Sequence, residues 1–310
     1  MPRSRRVGRA GAGRAASSYV RTRAAAEGGE LARVRRALDE RGLSPRKRFG
    51  QNFLVRDDLA ARIVEHCRLR DDDVAVEIGP GAGALTPRLA ARVRGLVAVE
   101  KDSGLAAYLR EELAESSNVE IVEGDFLAVD LAAVARAHGV AKLAVVGNIP
   151  YNITTPVLER VFEQRAVIRS AVLLVQKEYA ERLAAAAGTP AYGSLTLFAR
   201  YHALMEPLLT IKAPAFWPRP AVDSMLVRFF LRERPPVEVP GEALLFRIVR
   251  GAFQMRRKQL LNTLEESLGI PKDEAARLCR AAGIDPRRRG ETLTLDEFAK
   301  LAREAGPGRA

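Results

Sequence analysis

The chain has 310 residues, 47% of them hydrophobic, and a formal net charge of +12; that is enough for one large domain and a small one around a sizeable core. No apolar run reaches the ~18 residues a membrane span needs. Two cysteines, Cys67 and Cys279, and three histidines, His66, His138 and His202, are too scattered for a disulfide framework or a zinc site, which predicts a reducing, cytoplasmic setting with no membrane and no metal.

Residues 1–48 hold thirteen Arg and one Lys against Glu27, Glu30, Asp39 and Glu40, a net of +10, which leaves +2 for the other 262 residues. Basic charge favours a polyanionic partner, mostly for this tail. From Met1 to about Glu30 the chain is rich in Arg, Ala, Gly and Ser, with no acid before Glu27 and no secretory apolar segment; that composition predicts disorder. An RNA-binding arm, an Arg-rich transit segment and a dispensable extension all fit it. A helix is expected at about Leu31–Arg41, still within a basic extension that spans 1–43.

Ser44-Pro-Arg-Lys-Arg-Phe-Gly-Gln-Asn-Phe-Leu54 sets three basic residues before an aromatic, a glycine and two amides. Asp57 and Asp58 then cap a helix predicted over Leu59–Arg68, with Leu59, Ile63, Val64 and Cys67 at helical spacing. Val74–Ile78 reads as a strand running into the glycine turn 79–83, with a helix over Leu85–Val93. Glycines at 79, 81 and 83 let a ligand approach the backbone, and the helix start offers free N–H groups. Gly79-x-Gly81-x-x-Ala84 also satisfies the dinucleotide pattern, so NAD stays open at this point. Glu77 disfavours a pyrophosphate and suits a ligand bearing a cationic amine or sulfonium.

Leu96–Glu100 is a second strand. Glu100 lies 21 residues after Gly79, a distance that suits a carboxylate bonding a ribose diol; NAD and S-adenosylmethionine both carry one. A helix over Ser103–Ala114 precedes a third strand, which ends in Gly124-Asp125-Phe126. Asp125 can accept from an adenine amine. A single strand-end acid is readily explained by solvation. Glu77, Glu100 and Asp125 in register, with a glycine turn between the first two, are not.

A fourth strand, Leu143–Val146, ends in Gly147-Asn148-Ile149-Pro150-Tyr151. Such strand ends face the ligand crevice of an open α/β sheet. The Asn148 amide and the carbonyl of Ile149 or Pro150 can accept from an NH2 group, and Tyr151 can stack on its base. An Asn-X-Pro turn explains the four residues alone equally well; the upstream acids favour the first reading.

These motifs come in the order and spacing of S-adenosylmethionine-dependent methyltransferases acting on adenine N6. With Gln51-Asn-Phe-Leu54 in front, the chain resembles the ribosomal RNA adenine dimethyltransferases: the housekeeping small-subunit enzymes, the erythromycin-resistance enzymes and the mitochondrial transcription factor B relatives. Ile153-Thr-Thr-Pro156, Ala171–Glu178, Ala191–Leu195, Ala215–Pro220 with Val222-Asp-Ser224, and Ala252–Lys258 resemble the housekeeping branch, whereas Ile149 stands where that branch usually has leucine. The likeness covers about 44–303. It implies a Rossmann-like, mostly parallel sheet with an antiparallel closing hairpin over 44–234, and a small all-α, RNA-contacting domain over 235–310. It implies S-adenosylmethionine held by Asn52, Leu54, Gly79, Glu100, Asp125 and Asn148, with Phe216 stacking on the base opposite Tyr151. Asn148, Pro150, Tyr151 and Phe216 are then the catalytic set, and small-subunit RNA in a pre-30S particle the partner of a monomeric protein.

Downstream, helices are expected at Lys177–Ala186 and Leu195–His202, and a strand pair at about Leu204–Lys212 and Met225–Leu231. Beyond the linker Pro235–Pro240, four more are expected at Ala243–Phe253, Arg257–Leu268, Lys272–Ala282 and Leu295–Arg303. Arg256-Arg257-Lys258 and Arg287-Arg288-Arg289 are candidate phosphate contacts. A large-subunit methyltransferase, a mitochondrial transcription factor and a nicotinamide oxidoreductase are the competing functions.

Overall fold

The computed structural model describes residues 29–306; the Arg-rich segment read as disordered lies outside them. The chain divides into two units, one made of Met1–Lys177 with Glu206–Phe229, the other of Glu178–Met205 with Phe230–Ala310.

Strands are β1 Phe53–Leu54, β2 Val74–Ile78, β3 Gly95–Glu100, β4 Val119–Glu123, β5 Leu143–Asn148, β6 Ile168–Gln176, β7 Ala203–Ile211, β8 Phe216–Trp217 and β9 Ser224–Leu231. Seven form one sheet in the order β4-β3-β2-β5-β6-β9-β7. The first five are parallel, and β9 runs antiparallel to β6. Their sequences explain these places. Central β2, β3 and β5 are nearly continuous apolar runs, buried on both faces. Edge strand β7 contains Pro207, which an edge tolerates because no ladder bond is lost there. The chain leaves β2 toward β3 and β4 on one side and returns through β5 and β6 on the other. The order therefore reverses between β2 and β5, where an open sheet leaves a crevice at its carboxyl ends.

Helices of the first unit are α1 Glu30–Asp39, α2 Asp57–His66, α3 Thr86–Ala90, α4 Ser103–Glu112, α5 Leu131–Ala137 and α6 Thr154–Glu163. One of them, α5, carries a weak sequence signal. α5 is short and alanine-rich, and its start is fixed by Asp130, which accepts from the Ala132 and Ala133 N–H groups. α6 holds Pro156 in its first turn, where a helix needs no N–H.

The second unit contains α8 Ser194–His202, α9 Glu242–Gln254, α10 Leu260–Leu268, α11 Lys272–Ala281 and α12 Leu295–Ala305; α7, Lys177–Ala184, begins at the boundary. The division differs from the boundary expected at 234/235. Tyr192, Leu197 and Tyr201 are buried with Leu245, Phe246 and Phe298, and Tyr192 donates to the Leu293 carbonyl at 2.7 Å. Periodicity shows that α8 has an apolar face but not which core receives it. Among the described residues no helix is long and apolar enough to cross a membrane.

Candidate active site

The carboxyl ends of β2 to β5 surround a cleft enclosing about 1240 Å³ of empty space, part of it open to solvent. Segment 48–54 and the 148–153 turn close it. Gly79, Gly81 and Gly83 all have positive φ, between 58° and 78°. At Gly81 a Cβ would stand 3.0 Å from the Phe53 ring. Phe53 closes over the turn because β1 pairs antiparallel with β8 in the register Phe53↔Trp217 and Leu54↔Phe216, with 6.2 Å between the Phe53 and Trp217 ring centroids.

All three strand-end acids line the cleft, in three different states. Glu77 is 2% exposed, and its Oε2 has no hydrogen-bond partner among the described residues. Burial pushes its carboxyl up to about 8; Thr86 opposes this and the nearby Glu100 charge adds to it. Glu100 is 5% exposed and its pKa is also raised by burial. Its two oxygens accept the N–H groups of Gly81 at 2.9 Å and Asp102 at 2.8 Å, so it fixes the glycine turn as well as facing the cleft. Asp125 is held below the usual carboxylate range by Lys101, whose Nζ lies 2.6 Å away. The pairing of Lys101 with Asp125 is not visible along the chain; only the adjacency of β3 and β4 brings the two together.

Asn148 sits at the tip of β5, and its Nδ2 donates to the Asn52 main-chain carbonyl at 3.0 Å. Nδ2 is the only donor on that side chain, so Oδ1 is the end left to accept. The next residues refine the choice of carbonyl. Pro150 O accepts the Ile153 N–H at 3.1 Å and the Thr154 hydroxyl at 3.4 Å; it is committed to the turn. The Ile149 carbonyl is therefore the better acceptor, and Pro150 acts by restricting the backbone of Ile149 before it. Tyr151 shares a hydrogen bond of 2.9 Å with the buried Ser224 hydroxyl. Burial raises its pKa, so the phenol stays neutral.

Asn52, Leu54, Gly79, Glu100, Asp125, Asn148, Pro150 and Tyr151 thus meet in one place. Phe216 does not join them. Directly opposed residues of an antiparallel pair share a face, and Phe216 lies with Leu54 in the core beside Ala215 and Leu226, 4% exposed. Its expected place on the base is corrected to a core position beside Leu54. In the second unit the two basic clusters converge, because Leu260 N–H donates to Arg288 O at 2.7 Å. Arg256 is used internally: it donates to Pro190 O and Tyr192 O at 3.1 and 2.7 Å and pairs with Glu291 at 3.4 Å. Lys258 makes an exposed pair with Glu266 at 3.3 Å, and Arg257 is exposed.

The family model for "Ribosomal RNA adenine dimethylase" matches residues 42–305. "Ribosomal RNA small subunit methyltransferase A" of Geobacillus sp. (strain WCH70) is 41% identical over 275 residues, 87% of this chain and 94% of that one. The protein of the same name from Bacillus mycoides (strain KBAB4) is 42% identical over the same shares. Among solved structures, the 23S rRNA methyltransferase ErmE superposes with a TM-score of 0.62 at 28% identity, over 82% of this chain and 99% of that one. A dimethyladenosine transferase from Plasmodium falciparum gives 0.66 at 22% identity, over 80% and 94%, and speaks for the fold alone. With this match spanning both units and the whole cleft, the chain belongs to the ribosomal RNA adenine dimethylase family.

Proposed function

We propose that this protein transfers methyl groups from S-adenosylmethionine to N6 of two adjacent adenosines in a 3'-terminal hairpin loop of small-subunit ribosomal RNA, dimethylating each. It acts in the cytoplasm as a monomer on the pre-30S particle. The observation that carries the reading is the tethered Asn148 amide, whose Nδ2 is held by Asn52 O. The small subunit is favoured because relatives at 41–42% identity are named for it, against 28% for ErmE. Methyl transfer from labelled cofactor to purified unmethylated small and large subunits tests it; labelling of the large subunit alone would refute it.

The cleft fits such a cofactor. Its glycine turn admits a nucleoside against the backbone, Glu100 suits a ribose diol and Asp125 an adenine amine. Glu77 offers a buried, unpartnered oxygen to a cationic group. S-adenosylmethionine supplies, when bound, a methyl group on a positively charged sulfur. An exocyclic adenine amine is a poor nucleophile because its lone pair is delocalised into the ring. Asn148 Oδ1 and Ile149 O, accepting its two N–H bonds, favour a pyramidal nitrogen and stabilise the charge that develops on it. Tyr151 stacks on the base, worth about 1–3 kcal/mol. The base must first leave its own stack, which costs least in a loop. A monomethylated amine donates only one hydrogen bond, so the second transfer relies on one acceptor and on that stacking.

Glu77 gives a pH test. Its folded pKa of about 8 lies above the ordinary 4.5, so the folded protein keeps a proton that the unfolded chain loses, and this group lowers stability as pH rises from about 4.5 to 8. Glu77→Gln is expected to match the wild type in melting temperature near pH 5 and to exceed it increasingly up to pH 8. Its cofactor affinity is expected to fall at least about ten-fold, because a bound cation favours the ionised form of Glu77 and the charge-assisted contact so formed is one that Gln cannot make. Thermal unfolding against pH and calorimetric titration check both, and a melting difference that does not grow with pH contradicts a protonated Glu77.

In the second unit, Arg257→Ala is expected to weaken RNA binding at all sequences and to lower the salt slope by about one phosphate contact. Arg256→Ala should instead lower the melting temperature, since it leaves the Pro190 and Tyr192 carbonyls without their donor. Binding titrations across salt concentrations, beside thermal unfolding, separate the two roles.

A further inference from the structure

Ser224 opens β9, is 1% exposed, and pairs through its backbone with Gln176 at the end of β6. Its neighbour pins it from three directions. Asp223 Oδ1 accepts the Ala213 N–H at 3.0 Å, its Oδ2 takes the Lys212 ammonium at 2.9 Å, and its main-chain carbonyl accepts the Lys177 N–H at 2.9 Å. The Ser224 hydroxyl therefore sits at a fixed point of the sheet, 73 residues away in sequence from the group it meets. That group is the Tyr151 hydroxyl, at 2.9 Å. Tyr151 itself stands on a single 3₁₀ turn, Tyr151–Ile153, whose backbone alone leaves the ring free to swing about its side-chain torsions.

We infer that Ser224 is a positioning residue for methyl transfer: its buried hydroxyl holds the Tyr151 ring at the tilt on which the target base stacks, and it acts through Tyr151 without touching RNA or cofactor. This rests on the reading above, in which Tyr151 is the stacking wall. A ring held at both ends, by the turn and by its hydroxyl, loses no rotational freedom when the base arrives. A ring held at one end must be ordered by the base itself. The cost then falls on the step in which the amine is aimed, not on capture of the cofactor.

The experiment is a double-mutant cycle on methylation of unmethylated small subunits at saturating cofactor, with Ser224→Ala, Tyr151→Phe, the double variant and Ser224→Thr. Cofactor affinity and melting temperature are measured for each. Both single variants are expected to lower kcat about five- to twenty-fold with cofactor affinity unchanged, the double variant to be no worse than either, and Ser224→Thr, which keeps the hydroxyl, to restore most of the rate. Losses that multiply in the double variant would overturn the inference, as would a Ser224→Ala rate within two-fold of wild type. A parallel fall in cofactor affinity would assign Ser224 a merely structural role. Should Ser224→Ala fail to fold, Tyr151→Phe with Ser224→Thr carries the test: full activity of Tyr151→Phe overturns it. A wild-type protein that methylates no adenine would refute the function proposed above, which keeps the two failures apart.

Discussion

Asn148→Ala is expected to cut methyl transfer to unmethylated small subunits by at least about a hundred-fold, the usual cost of removing one acceptor or donor aimed at developing charge. Cofactor binding should be largely kept, because Gly79, Glu100 and Asp125 stand on other strands. Melting temperature should also hold, since the side chain is only half-buried and makes one hydrogen bond, to Asn52 O. Asn148→Asp sharpens the point. It keeps an oxygen for the amine but sets a carboxylate oxygen against the Asn52 carbonyl, where Nδ2 used to donate. Its activity should also collapse and recover partly at low pH, where a protonated carboxyl can donate again. Single-turnover methylation with calorimetric cofactor titration checks the pair. Ordinary turnover by Asn148→Ala would remove the role assigned to this amide.

Gly147→Ala should damage the same reaction by a different route. Gly147 lies opposite Ile78 where β5 and β2 run side by side. A Cβ there would stand 2.9 Å from Ile78 Cβ, 3.0 Å from Ile78 O and 2.7 Å from Ile149 Cδ1. Two of these belong to or adjoin a neighbouring backbone that cannot swing aside, so the strand tips must part. Overpacking of this kind costs about 1–3 kcal/mol. The tips carry the glycine turn on one side and Asn148 on the other, and misplacement by about 1 Å can cost a hundred-fold in rate. The expected result is a lower melting temperature, weaker cofactor binding and a kcat loss of about ten- to a hundred-fold together. That pattern is opposite to Asn148→Ala, where only the rate falls. A Gly147→Ala protein with wild-type stability and cofactor affinity would show that the tips are not close-packed as described.

Between them these residues show why so much of the site was legible. Glu77, Glu100, Asp125 and Asn148 lie at or just beyond the ends of parallel strands, and a parallel sheet places its strand ends in one row. Glu77, Glu100, Asp125 and Asn148 are therefore legible within a few residues of the apolar runs that mark the strands. The helices of the second unit emerged from periodicity for the same local reason. Phe216 was misplaced because its face depends on the register of two-residue β8 against β1. No periodicity exists in two residues, and a shift of one turns the ring to the other side. Arg256 looked like its neighbours Arg257 and Lys258 because charge is visible in a sequence and a carbonyl 64 residues away is not. The unit boundary failed likewise: α8 has an apolar face, and only packing assigns that face to a core.

The sequence by itself determined the strands of the seven-stranded sheet, the order of their terminal acids and amide, and the family resemblance, because each depends on neighbours along the chain. Only the tertiary structure decided which atoms of those residues are free. It committed the Pro150 carbonyl to its own turn, tethered the Asn148 nitrogen to Asn52, left Glu77 Oε2 without a partner among the described residues and tied Tyr151 to Ser224. The reason is that a hydrogen bond is satisfied by whatever group lies within about 3 Å, and for Asn148 and Tyr151 that group is 96 and 73 residues away along the chain.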